Sequence, residues 1–380
     1  MPNLILGLLI CFLITLVIVK YARLAGHHAL DHDLTGVQKM HVVAVPRIGG
    51  IAVAIAVTLT MMLGGWLGTN PREESYELLL CATPVLLGGV LEDLTKHVSP
   101  TARLLCAIAS AAVGVFVLRA VVGRVDLPLI DHLLKFWPVA LGLTLLMVSG
   151  LTNAINIIDG FNGLAGGFAI LVFGSLGLVA HQVDDWLILS ISLTMIGAIM
   201  GFLIWNYPFA SIFLGDGGAY FIGFIMAELV VLLITRHPSV SAWYAAVVTI
   251  YPVCETVFTI YRRRFVRGCA AGKPDGIHLH TLIFRRLVRR GGHPETPRQR
   301  TRRNARTSPY LWLISLIAVV PATFFWQNEV VLTATAITFI AVYVWLYISI
   351  VKFRTPRWLV TYMPHEVEPP ATETPTNPPC

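Results

Sequence analysis

Residues 137–155 read WPVALGLTLLMVSGLTNAI, nineteen positions without a charge. Eighteen or more apolar residues in a row can cross a bilayer as a helix. This run ends in an unusual way, with Asn153, Asn156 and Asp159 followed by Gly160, Asn162 and Gly163. Positions three apart share a helix face, so the two amides and the carboxylate form one stripe at the mouth of an apolar span. Such groups are costly to leave unpaired there. Their hard oxygens suit Mg²⁺ or Mn²⁺. The plainer reading is a polar stripe for helix packing.

Working outward, further apolar runs of span length lie at about 3–19, 48–68, 76–91, 101–119, 164–181, 186–205, 219–235, 242–260, 309–326 and 330–351. With 137–155 they make eleven. The expected fold class is therefore all-α, a polytopic integral membrane protein of about 11 transmembrane helices. Composition agrees: 56% of the 380 residues are hydrophobic and 13% charged, against about 25% charged in soluble domains. A soluble enzyme, a disordered chain and a nucleic-acid-binding module fit poorly. Residues 1–351 read as one membrane-embedded domain and 352–380 as a cytoplasmic tail, rich in Pro, Thr and Glu from Pro364 onward and expected to be disordered.

The distribution of cations sets the orientation. With the N-terminus outside, 23 of the 28 lysines and arginines fall on inner segments, 14 of them between Arg262 and Arg306. The outer side keeps Arg72, Arg119, Arg124, Lys135 and Arg236. This asymmetry is the positive-inside pattern. The chain is expected in a bacterial inner membrane, multi-pass, with its C-terminus in the cytoplasm. The six cysteines contain no C-x-x-C pair and read as small packing residues.

The polar clusters fall on inner segments, which puts the chemistry on the cytoplasmic face. Lys39 and His41 precede Pro46-Arg47-Ile48-Gly49-Gly50. Glu92, Asp93 and Lys96 follow Gly88-Gly89, so two acids sit at a helix C-terminus, where the helix dipole opposes them. Gly215-Asp216-Gly217-Gly218 precedes the eighth span; the Asp is either a helix cap or a metal-binding carboxylate. In the basic loop, His278 and His280 stand two apart, off a shared helix face, and suit phosphate better than zinc. Glu228 and Glu255 lie inside spans and read as helix–helix polar contacts.

These five clusters, in this order, resemble the polyprenyl-phosphate N-acetylhexosamine-1-phosphate transferases, a superfamily that includes phospho-MurNAc-pentapeptide translocase. Pro46-Arg47-Ile48-Gly49-Gly50 is similar to the family's Pro-x-x-Gly-Gly, and Glu92-Asp93-x-x-Lys96 to its Asp-Asp-x-x-Lys. Asn153-x-x-Asn156-x-x-Asp159-Gly160 resembles the nucleotide and metal segment, Gly215-Asp216 the metal-binding Gly-Asp, and His278-Leu279-His280 the histidine motif. Glu92 stands where relatives have Asp, Asn162 where several have Asp, and Thr281 where many have His.

The resemblance implies transfer of N-acetylhexosamine 1-phosphate from a UDP-sugar to undecaprenyl phosphate, with release of UMP. Such a step opens O-antigen and related cell-surface glycan pathways, including lipopolysaccharide and cell-wall synthesis. It implies Mg²⁺ (or Mn²⁺) on Asp216 and Asn156. Glu92, Asp93, Asp159, His278 and His280 are the expected catalytic residues. Lys39, Arg47, Lys96, Asn153, Asn162 and Gly163 are expected to bind substrate. The partners are UDP-N-acetylhexosamine, undecaprenyl phosphate and membrane lipid, without nucleic acid; a homodimer is compatible with this reading. Asp93 is expected to take the lipid phosphate's proton or align that phosphate. The rival from another class, a secondary transporter, would carry acids near span centres and repeat symmetry. Here the acids gather at inner helix ends and no repeat is visible.

Overall fold

The computed structural model describes residues 1–24, 45–66, 68, 72–266, 268, 276–289 and 296–362. In an apolar solvent every backbone N–H and C=O must pair within its own segment, so apolar runs become helices. The chain is built as α1 (Pro2–Leu24), α2 (Gly49–Trp66), α3 (Arg72–Cys81), α4 (Thr83–Thr95), α5 (Pro100–Val117), α6 (Pro128–Leu134), α7 (Trp137–Ile158) and α8 (Leu164–Gln182). It continues with α9 (Trp186–Asn206), α10 (Gly215–Arg236), α11 (Ala242–Val248), α12 (Ile250–Tyr261), α13 (Leu279–Arg286), α14 (Pro297–Ala305), α15 (Ser308–Phe324) and α16 (Glu329–Val351).

Among the described residues nine helices are long and apolar enough to span a membrane. The count reaches eleven if two bent pairs each form one span: α3 with α4, bent by 43°, and α11 with the helix from Ile250, bent by 72°. The expected all-α polytopic fold is what the chain adopts. Pro84 sits at the start of α4, where its missing N–H costs nothing, and so marks the first break.

The core is organised around α10, whose residues from Gly215 to Ile234 are all buried. Helices α2, α4, α5, α7 and α8 pack around it. By contrast α1 keeps much of its surface outward, with Ile5, Leu9, Leu13 and Val17 exposed. Exposed apolar rows of this kind face lipid when the chain is in a membrane.

The end of the bundle away from the polar motifs is tied by its own charges. Arg124 pairs with Asp126 at 2.6 Å and reaches carbonyls that follow α10, including that of Pro238 at 3.2 Å. A cation at a helix C-terminus satisfies orphan carbonyls and the dipole together. Arg236 pairs with Glu74 at 3.0 Å, and His237 with Asp185 at 2.9 Å. Two of the five cations assigned to the outer side are thus used structurally.

The basic segment 261–306 holds more structure than its composition suggests. Helix α13 buries Leu279, Leu282, Ile283 and Phe284, and α14 opens with a capping box between Thr296 and Gln299. The expected disordered tail from 352 needs correction over its first part. Residues 357–359 form a 3₁₀ turn, and Thr361–Tyr362 pair in parallel with Val288–Arg289. Residues 363–380 lie outside the described residues.

Candidate active site

Three glycine pairs decide where the polar groups meet. The backbone N–H of Gly49 donates to the Phe213 carbonyl (3.0 Å) and that of Gly50 to Leu214 (2.7 Å), while Phe213 N–H donates to Pro46 (2.9 Å). A Cβ on Gly50 would stand 2.1 Å from the Gly218 nitrogen, and one on Gly89 would stand 2.6 Å from the Gly217 Cα. No side chain fits either gap. Helices α2 and α4 therefore close onto the first turn of α10 at backbone distance, which small residues permit.

That closure puts Asp93 against the N-terminus of α10. Its Oδ1 accepts from the N–H of Asp216 and its Oδ2 from the N–H of Gly217, both at 2.8 Å. Two otherwise orphaned N–H groups are satisfied by one carboxylate from another helix. Hydrogen bonds to a charged group are worth about 1.5–3 kcal/mol each. Asp93 is thus a cap supplied in trans. Its neighbour Glu92 turns away and accepts from the N–H of Val98 at 2.8 Å. Lys96 ends α4 in a left-handed conformation (φ 59).

Asp216 stands at the centre. Its carboxylate pairs with Arg47 at 3.4 Å and with Arg103, and it accepts from Asn156 Nδ2 at 3.2 Å. Arg103, in the first turn of α5, was not singled out from the sequence. Its signal was there: it is a lone cation one turn inside an apolar run.

The Asn153–Asn156–Asp159 stripe is used step by step. Asn153 Oδ1 accepts from Tyr220 OH at 3.1 Å, deeper along α10. Asn156 meets Asp216. Asp159 closes α7, and desolvation pushes its carboxyl up to about 8; Arg47 pulls the other way and Asp93 adds repulsion.

The turn after Asp159 is clamped. Asn162 N–H donates to Asn304 Oδ1 (2.8 Å), Ser308 Oγ donates to the Asn162 carbonyl (2.6 Å), and Gly163 N–H donates to Asn206 Oδ1 (2.7 Å). Gly163 has φ +73, and a Cβ there would meet the Tyr207 ring at 2.7 Å. Its part is to shape the turn. Asn162 Oδ1 is buried and takes no hydrogen bond from the described residues, which suits contact with a ligand.

The histidine motif joins this turn. A Cβ on Gly160 would lie 3.5 Å from His280 Nε2, and the His280 ring lies 5.3 Å from that of Phe161. The rings of His278 and His280 stack at 5.1 Å. Burial pushes His280 down to about 3; His278 adds to this and Glu255 opposes it. Burial thus favours the neutral form of His280, and its buried Nδ1 takes no hydrogen bond among the described residues. Glu255 is more than the helix–helix contact expected for it, since its Oε1 lies 3.0 Å from His278 Nδ1. Glu228 packs against Gly114 of α5, but its Oε1 is buried without a hydrogen bond among the described residues, so the polar contact expected for it is not seen there. Lys39 and His41 lie outside the described residues.

Among the described residues no three His, Cys, Asp or Glu side chains gather as a metal cage. Mg²⁺ rarely uses one; it takes one or two carboxylates and completes its shell with substrate phosphates and water. Asp216 with Asn156 is a donor set of that kind, one carboxylate and one amide, and it fits the ion. The amide would turn its oxygen, not its nitrogen, toward the metal.

Residues 76–234 match the family model described as Glycosyl transferase family 4. A probable undecaprenyl-phosphate N-acetylglucosaminyl 1-phosphate transferase of Bacillus subtilis (strain 168) is 29% identical over 287 residues, 74% of this chain and 76% of that protein. The undecaprenyl-phosphate alpha-N-acetylglucosaminyl 1-phosphate transferase of Yersinia pestis is 27% identical over 67% of this chain and 69% of its own length. That of Escherichia coli (strain K12) is 28% identical, with 72% and 74% covered. The comparisons support the family that the five motifs resemble.

Proposed function

We propose, for a chain that carries a glycosyl transferase family 4 region at residues 76–234, that it moves a sugar 1-phosphate from a UDP-N-acetylhexosamine to undecaprenyl phosphate and releases UMP. One observation carries the reading: Asp216 meets Arg47, Arg103 and Asn156 from three other segments, with Asp93 fixing the turn on which it sits. Two anionic reactants can approach only where charge is cancelled in advance. We place this site at the cytoplasmic face of the inner membrane, because 23 of the 28 lysines and arginines then lie on its side.

The reaction asks mainly for positioning and charge. An oxygen of the lipid phosphate bonds to the sugar-bearing phosphorus. The bond from that phosphorus to the bridging oxygen breaks, and its electron pair leaves on UMP. Arg47 and Arg103 face the same carboxylate and would hold phosphate oxygens beside it, with Asp216 and Asn156 as the residues that would hold the ion. Mg²⁺ on Asp216 and Asn156 supplies Lewis-acid charge at the diphosphate when bound. Asp93 holds Asp216 in register. Asp93 is committed to two backbone N–H groups, which leaves Asp159, its carboxyl raised by burial, to exchange the lipid phosphate's proton. Asn162 offers its buried Oδ1 to the nucleotide, and His278 offers a ring nitrogen to a phosphate oxygen.

The test is direct. Purified protein in detergent receives a panel of UDP-sugars, Mg²⁺ and a short polyprenyl phosphate. UMP and a lipid diphosphate sugar should form together, only when both substrates are present. UMP without lipid product, or neither, would remove the proposal.

A further inference from the structure

A buried acid inside an apolar helix needs a reason. Glu255 in α12 is 1% exposed, and its two oxygens are fully engaged. Oε1 takes the His278 Nδ1 contact at 3.0 Å and the N–H of Leu279 at 3.1 Å. Oε2 accepts from Tyr343 OH of α16 at 2.9 Å. Well-packed apolar residues in place of such a buried set are often as stable or more so, so stability alone does not account for it.

The geometry shows the task. The segment Ile277–Leu279 is held from two helices and the turn after α12. Arg262 donates to the Ile277 carbonyl at 2.6 Å and Tyr347 OH to the same oxygen at 3.2 Å, while Glu255 holds the next two residues. A carboxylate can only accept, so the proton between it and His278 belongs to Nδ1. Nε2 is then the one ring nitrogen through which His278 can meet a substrate. Thr259 Oγ1 lies 3.2 Å from the same Nδ1 and narrows the ring's freedom further.

We propose that Glu255, braced by Tyr343, is a positioning residue for His278: it fixes the Nδ1–H tautomer and aims Nε2 at the phosphate groups of the substrate. This rests on the reading given under Proposed function and extends it to residues outside the five motifs. Around the pair stand Tyr251 and Cys254 of α12, Arg262 after it, His280 of α13, and Tyr343 and Tyr347 of α16. Of these His280 stacks on the His278 ring, and burial pushes its pKa down to about 3.

The experiment uses the full chain in detergent, with ¹⁵N-labelled histidine and His278→Gln to assign the signal. The wild type should show His278 protonated on Nδ1 when neutral. In Glu255→Leu, which removes the acceptor, the neutral His278 ring should lose its preference for Nδ1–H and populate the Nε2–H form. An Nε2–H tautomer in the wild type, or an unchanged tautomer in Glu255→Leu, would overturn the proposal. In the UMP assay Glu255→Leu should lower kcat about ten- to hundredfold. The double variant Glu255→Leu/His278→Gln should be no slower than His278→Gln alone, because the acid acts through the ring. Losses that multiply in the double variant would overturn it too. A wild type that releases no UMP would remove the proposed reaction, and the NMR arm would still decide what Glu255 does.

Discussion

Asp93 and Asp216 meet through the backbone: the Asp216 N–H donates to Asp93 Oδ1 at 2.8 Å, and Gly217 N–H takes the other oxygen. An acid at the end of α4, set against its own helix dipole, gains a second helix's N-terminus in exchange. One carboxylate thereby fixes the position of another that faces the reactants.

Asp93→Asn should test that arrangement. The amide keeps one acceptor and turns an NH₂ toward a backbone N–H, leaving a donor unmatched. A loss of about 1–3 kcal/mol is expected, read as a lower unfolding midpoint in detergent, together with a loss of UMP release of at least a hundredfold. A variant that loses activity with an unchanged midpoint would mean that Asp93 acts on substrate instead.

Asp216→Ala should abolish UMP release, because it removes the carboxylate that Arg47, Arg103 and Asn156 share. Cys254→Ala, on the half-buried free cysteine of α12, should leave release unchanged. Full UMP formation by the Asp216 variant would falsify the metal assignment.

The glycine contacts make a steric prediction. Gly89→Ala places a Cβ 2.6 Å from the Gly217 Cα, whereas one on Gly142 meets nothing within 4 Å. Gly89→Ala should cost about 1–3 kcal/mol by overpacking and lower UMP release in parallel. Gly142→Ala should do neither. Equal unfolding midpoints for the two variants would contradict the close packing of α4 on α10.

Asp159 carries a pH signature. Its carboxyl is raised to about 8 in the folded protein by desolvation, against about 3.9 in an unfolded chain. The unfolded state therefore loses its proton first, and stability falls as pH rises from about 4 to about 8. Asp159→Asn should raise the unfolding midpoint, by more at pH 8 than at pH 4, while UMP release falls. A gain that shrinks as pH rises would reverse the assignment.

Much of the site was legible one segment at a time. Arg47, Asp93, Asn156 and Asp216 were readable as charged or amide residues at helix ends within four positions of a glycine, and the structure gathers them. Glu255 was visible as an acid in an apolar run, but nothing near it in sequence pointed to His278, 23 residues on. Arg103 stood out as a lone cation inside an apolar run, but nothing near it in sequence pointed to Asp216. Helices α13 and α14 were missed because a basic, polar segment gives no span-length run, although α13 still buries one apolar side.

By itself the sequence determined the class and the parts. Run length in an apolar solvent is a local property, so it sets helices and their approximate ends without knowledge of partners. Only the tertiary structure decided the pairings: Asp93 with the first turn of α10, Arg103 with Asp216, and Glu255 with His278. Those contacts depend on how closely helices approach. That distance is set by glycines on facing surfaces, such as Gly50 against Gly218, far apart along the chain and meaningful only once they touch.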